Sequence, residues 1–229
     1  MNLIIVWFMI FLVLLPLSVC ANTDILPNVA CRYEIKVAGK GGKYSVKPNY
    51  WYFWRSEKMI QTRDAEGDRG EIWQLTDKDF IAYRKLYHSD KTAIENAPAD
   101  SALSGNKFNW IQLATMFSQD DLAQLKVTRH KKILGEEAEI RKGNLNGQQV
   151  EVAWLMQSQL PAWIKRTIPG ETRILELKEK TSFDQSPWQS TSIETIDSYR
   201  QIDDTDFGDM ENDPFVKKVL HESGHQHAH

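Results

Sequence analysis

Tyr50-Trp51-Tyr52-Phe53-Trp54-Arg55 is a run of five aromatic residues closed by an arginine. A half-buried strand alternates apolar and polar residues with period two. Here Tyr50, Tyr52 and Trp54 fall on one side and Trp51 and Phe53 on the other, so both sides of the strand need cover. The run therefore predicts a strand inside a layered β structure. A packed layer covers one side, and a helix or a ligand-sized space the other.

Strands extend from this run in both directions. Upstream, Cys31, Tyr33, Ile35 and Val37 alternate with Arg32, Glu34 and Lys36 as a first strand. Gly39-Lys40-Gly41-Gly42 then makes a turn, Tyr44 to Val46 a second strand, and Lys47-Pro48-Asn49 an interruption. Downstream, Met59 to Arg63, Glu71 to Leu75 and Phe80 to Leu86 read as further strands, and Ser89 to Gly105 reads as a loop. The period then changes. Trp110, Leu113, Ala114 and Phe117 share one helical face, and Ser118 with Asp121 starts a second short helix that runs to Leu125. Strands return as Glu137 to Lys142, Gln149 to Met156, Ala162 to Ile168 and Thr172 to Lys178, separated by turns such as Asn146-Gly147 and Pro169-Gly170. The fold class is α+β and mainly β. We expect a curved antiparallel sheet of about eight strands, an incomplete barrel, covered by one or two helices.

At 229 residues and 41% hydrophobic, the chain is long enough for one full-sized domain and too short for a second. A formal net charge of -3 excludes a general basic surface for nucleic acid. The organisation reads as 1–21 signal peptide, 22–190 half-barrel domain, and 191–229 acidic linker, short helix and His-rich tail. Leu3 to Leu15 is an apolar run broken by Pro16, and Val19-Cys20-Ala21 offers a cleavage site before Asn22. Acylation of Cys20 and an uncleaved anchor are the alternatives, and only they would bring membrane contact. Either cleavage leaves the protein outside the cytoplasm, and the periplasm of a Gram-negative bacterium is the expected location. Cys31 is then the lone free thiol, which rules out an intramolecular disulfide and suits a core cysteine.

The strand ending in Lys47-Pro48, the aromatic run from Tyr50 to Trp54 and the following strand with Trp73 resemble the lipoprotein carrier (LolA-like) superfamily of periplasmic proteins. So do the closing strands with Asn146-Gly147, Trp154, Leu160-Pro161-Ala162 and Glu176-Leu177. The resemblance covers roughly residues 28 to 180. It implies an incomplete antiparallel barrel closed by helices over an apolar cavity that holds an apolar small molecule or a lipidated protein without covalent chemistry. Tyr50, Tyr52, Trp54, Trp73, Trp154 and Trp163 are the candidate ligand-binding residues, since tryptophan and tyrosine join large apolar area to a polar handle. The alternative for each is ordinary core packing.

The C-terminus carries a different chemistry. Asp213-Pro214 has the grammar of a helix start, Phe215, Val219 and Leu220 form an apolar side, and Gly224 is placed to end the helix. His221 and His225 are one helical turn apart, and His225, His227 and His229 alternate beyond them, a pattern that can share copper, zinc or nickel. The second reading is therefore a metal-handling accessory protein, with a metalloprotein as partner. The run Asp203-Asp204-Thr205-Asp206-Phe207-Gly208-Asp209 lacks EF-hand spacing and reads as an exposed linker or a patch for a basic partner. No Gly-x-Ser-x-Gly or phosphate-binding glycine loop occurs, and the remaining histidines, His88 and His130, stand alone in the sequence. A non-enzymatic binding or carrier protein is the expectation.

Overall fold

β1 (Val29–Ala38) is the spine that joins two meanders, because β2 (Asn49–Arg55) pairs along one of its edges and β11 (Glu171–Ser182) along the other. The computed structural model describes residues 26–39, 44, 48–76, 80–96 and 108–222. From β2 the first meander runs through β3 (Met59–Asp64), β4 (Arg69–Leu75), β5 (Ile81–Tyr87) and β6 (Thr92–Asn96). Two helices follow, α1 (Trp110–Thr115) and α2 (Gln119–Gln124). The second meander runs through β7 (Lys126–Ile133), β8 (Glu136–Leu145), β9 (Gln148–Leu155) and β10 (Leu160–Ile168) to β11. After β11 come α3 (Ile193–Asp197), β12 (Arg200–Asp203) and α4 (Pro214–Glu222). One twelve-stranded sheet results, in the order β12-β6-β5-β4-β3-β2-β1-β11-β10-β9-β8-β7. Every pair is antiparallel except β12 with β6.

The expectation of about eight strands is corrected to twelve, and the strands without a clear signal share a physical cause. β7 is exposed along nearly its whole length, so Lys126-Val-Thr-Arg-His-Lys-Lys has no buried face to alternate. β6 occupies part of the stretch expected to be a loop, and its five residues are too short to show a period. β12 has only four residues and lies in the acidic stretch expected to be a linker, yet it adds to β6 in parallel. Of the expected strand from Tyr44 to Val46, Tyr44 forms an isolated bridge with Ala38, and the rest lies outside the described residues.

The helical face also differs from expectation. α1 starts where Asn109 Oδ1 accepts the amide of Gln112 at 3.0 Å, and ends at Met116, whose backbone is left-handed at φ 61°. That conformation costs a non-glycine residue roughly 1–2 kcal/mol. It turns the chain, so Trp110, Leu113 and Ala114 pack on one core while Phe117 packs on another. Ser118 does cap α2, its hydroxyl accepting the Asp121 amide at 3.4 Å. Likewise Asp213 caps α4 by accepting the amides of Phe215 and Val216, as the Asp-Pro start predicts.

Four apolar clusters hold the sheet. The first joins Cys31, Tyr33, Phe53, Ile60, Trp73 and Tyr83 on one face, here the inner one, to α1 and to Leu155 and Leu160 of the second meander. A second sets Phe117, Leu122 and Leu125 against Val150, Val152 and Trp154, so β9 is buried on both its faces. Cross-strand partners run Phe53, Thr62, Glu71, Lys85, Ile94, which places Ile94 on the inner face, where α4 covers it with Phe215 and Val216. On the outer face α3 inserts Ile196 against Ile72, Leu86 and Ala93.

Candidate functional site

The aromatic run is split by its own alternation, as the sequence requires. On the inner side Trp51 packs against Tyr33 and Phe53, with ring centroids 5.8 and 6.0 Å apart. Further along the same face Trp73 stacks on Tyr83 at 5.2 Å, and Phe108, just before α1, closes over both. Tyr83 sends its hydroxyl to Glu71 at 2.6 Å. The indole N–H of Trp73 is buried without a partner among the described residues. Phe108, Trp110, Leu113 and Met116 thus fill the hollow of the sheet as a plug of apolar side chains.

Arg55 fastens that plug. It ends β2 on the same side as Trp51 and Phe53, and its side chain is 1% exposed. Nε and Nη2 both donate to Pro27 O at 3.0 Å, Nη2 also donates to Ser158 O at 2.8 Å, and Nη1 donates to Ala114 O at 2.7 Å. One guanidinium therefore ties together the lead-in to β1, the end of α1 and the β9–β10 turn. Ala114 O lies in the last turn of α1, where carbonyls lack a helical partner and a cation is favoured. Among the described residues no carboxylate pairs with Arg55. Burial lowers its pKa to about 10, which still leaves it charged at neutral pH.

The acceptor at Ser158 is itself fixed. Its amide and hydroxyl donate to Glu136 at 2.9 and 2.5 Å, Lys180 donates to the hydroxyl at 2.6 Å, and Lys180 pairs with Glu136. Cys31 is the register partner of Lys180 and is fully buried. Burial pushes its thiol up to about 12 although Arg55 and Lys180 both favour the thiolate, so it is an unreactive core group at neutral pH. Tyr33 donates to Pro161 O at 3.0 Å, and burial raises its phenol too.

Two cavities adjoin this layer. One of about 170 Å3 lies under α1, lined by Leu26, Arg55, Ser56, Glu57, Trp110, Ile111 and Ala114. The other, about 330 Å3, opens beside Trp51 and Tyr87 but is edged by Asp64, Arg69, Glu71 and Lys85. Ligand sites usually span roughly 300–1,000 Å3. The smaller cavity falls below that range, and the larger one is edged by charged side chains.

The six predicted ligand residues do not converge on one cavity. Tyr50, Tyr52 and Trp54 lie on the outer face, where Trp188 covers Tyr52 and accepts the Trp54 indole N–H on its carbonyl at 3.2 Å. Gln61 clips the covering segment down, accepting the Thr191 amide at 2.8 Å. Trp73 alone faces the plug directly; Trp154 belongs to the second cluster, and Trp163 packs half-buried against the first. Of the proposed metal ligands, His221 is exposed in the last turn of α4, and His225, His227 and His229 lie outside the described residues, as does the expected export signal. Among the described residues no three metal-type donors come together. Sequence reasoning passed over Arg55 and Phe108. The available signal was parity: an arginine at the inner position of an aromatic strand must find acceptors there.

No protein-family model matches the chain, and no curated protein matches it. Among solved structures it is similar to PNGF-II, with a TM-score of 0.44 and 10% identity over 80% of this chain and 33% of that one. The chain thus spans about a third of that protein's length. An uncharacterized conserved protein from Thermus thermophilus has a TM-score of 0.42 and 8% identity, over 76% of this chain and 90% of its own. A putative outer membrane lipoprotein-sorting protein domain from Vibrio parahaemolyticus has a TM-score of 0.31 and 8% identity, over 72% of this chain and 88% of its own.

Proposed function

We propose that this chain is an exported, non-enzymatic carrier that holds an apolar or lipidated ligand in the hollow of its sheet, in the space taken by the plug when empty. The observation that carries the reading is the Arg55 latch. A buried cation held by three carbonyls from three separate segments is costly to maintain and simple to release, since opening returns the guanidinium to water. When α1 lifts, Phe108, Trp110, Leu113 and Met116 leave the apolar layer of Trp51, Phe53, Ile60 and Trp73 open to a ligand of their own character. The ligand then restores the apolar burial that the plug gives up. Exchange between the two covers is therefore near balance, as a carrier that must also release its cargo requires. The periplasm suits such a task, because amphiphiles must cross water there between two membranes.

The test is uptake of a fluorescent fatty acid, with hydrogen exchange followed in the same samples. Saturable binding with one probe per chain, accompanied by faster exchange of the α1 amides and slower exchange in β2 and β4, is the expected result. Absence of saturable uptake for acyl chains of every length tried overturns the proposal. So does binding that leaves α1 protected.

A further inference from the structure

β7 is the last strand of the sheet, and its second edge pairs with no other strand among the described residues. Its first seven residues, Lys126 to Lys132, are all exposed, and four of them are Lys126, Arg129, Lys131 and Lys132. None of the four forms an ion pair among the described residues, although the exposed Glu137 is the register partner of Lys132. The other carboxylates of the neighbouring strands are committed elsewhere. Glu136 pairs with Lys180, Glu139 with Arg141 and Glu151 with Lys142. The positive field extends inward from the edge. Lys126 is the register partner of Lys142, Lys142 of Glu151 and Glu151 of Lys165, along an open groove of about 610 Å3.

We infer that β7 is a docking edge on which an extended acidic segment of a partner protein adds as a further strand. An open edge supplies backbone donors and acceptors to any extended chain, and side-chain charge then selects which chain. A second copy of this protein is selected against, since β7 laid on β7 sets cations opposite cations. An acidic strand reverses that sign, with four unpaired cations along β7 to meet and Lys142 and Lys165 flanking it. Lysines on an edge are thus more than a guard against aggregation: they exclude like-charged edges and leave oppositely charged ones admissible. The inference does not rest on the carrier reading, because neither α1 nor Arg55 takes part in it.

The experiment uses the intact protein and a labelled synthetic peptide alternating glutamate with valine, read by fluorescence anisotropy. Saturable binding is expected, weakened at least about tenfold between roughly 0.05 and 0.5 M salt. The exposed quadruple variant Lys126→Glu, Arg129→Glu, Lys131→Glu, Lys132→Glu should lose binding by about tenfold or more while its far-ultraviolet circular dichroism stays that of the parent. The same peptide N-methylated at every residue keeps its charge but cannot form a ladder, and it should not bind. Equal binding of the methylated peptide, or unchanged binding by the quadruple variant, overturns strand addition at this edge. So does a failure of the parent to bind the peptide. Cosedimentation with phosphatidylglycerol vesicles in place of peptide binding would reassign the edge to an anionic membrane surface.

Discussion

Replacing Arg55 with leucine separates a latch from a structural core residue. The side chain makes four hydrogen bonds to three carbonyls, of which only Ala114 O belongs to the plug. Losing a hydrogen bond to a charged group costs about 1.5–3 kcal/mol. If that bond is the share holding α1, the open state gains by the same amount, and each 1.4 kcal/mol is tenfold, so opening rises roughly ten- to a hundredfold. Global stability falls by less than the sum of the four bonds. Leucine fills apolar volume, and the desolvation of the guanidinium, several kcal/mol on the order of a buried ion's usual penalty, is no longer incurred. The assay is native-state hydrogen exchange at Gln112 and Leu113, whose amides are bonded to the side chain and carbonyl of Asn109, with β4 and β5 amides as the reference. Probe affinity should tighten by up to the same factor, because a binding-competent state that is rare in the parent becomes common. Arg55→Lys, which keeps the charge but lacks the planar fork, should fall between the two. An Arg55→Leu protein in which α1 and the reference strands speed up equally, with probe affinity unchanged, would refute the latch and leave Arg55 as a core residue.

Three further outcomes are expected. A Cβ at Gly143 would lie 2.8 Å from Leu125 Cδ2, a side chain held in the second cluster, so Gly143→Ala should cost about 1–3 kcal/mol in urea unfolding by forcing β8 and α2 apart. His88 is held below its usual 6.5 by burial first and the Arg63 charge second, so its neutral form is favoured in the fold. Its contribution to stability is full above about pH 6.5 and is lost as pH falls through the depressed folded value, a slope in thermal melts that His88→Gln should flatten. The imidazoles of the tail should bind zinc, copper or nickel in calorimetric titration, and truncation after Leu220 should abolish it; equal heats from both forms would remove the tail from metal handling.

Much of this architecture was legible because burial writes itself into alternation. β1, β2, β4 and the β8 to β11 meander were each readable within a few residues, by alternation where one face meets water and by an apolar run where both faces are covered, as in β2 and β9. β7 was not, since a strand exposed on both faces has no apolar period to show. The short parallel β12 was hidden for a related reason: Ile202 is its single buried residue, set among acidic neighbours. The candidate site was half legible. The aromatic run announced two covered faces, but sequence could not say that Trp188 and its segment would take the outer one. The tryptophans chosen for size and polarity were mostly drawn into packing, while the residue that organises the site is the arginine that ends the run.

A buried arginine in this position also explains why the plug is a helix only six residues long. So short a helix has almost no intrinsic stability, since nucleation is unfavourable and few bonds repay it. α1 persists because Asn109 satisfies its first amides, Arg55 satisfies its end and the apolar layer accepts one of its faces, while Ile111 is left 45% exposed. Each support comes from outside the helix, so withdrawing any one of them weakens the whole element. Met116, already left-handed, is the natural pivot on the α2 side, because α2 is anchored separately through Leu122 and Leu125. On the carrier reading, such a cover is expected to open without disturbing the sheet beneath it. Lengthening α1 by good helix formers, by contrast, would hold the hollow shut even with Arg55 in place.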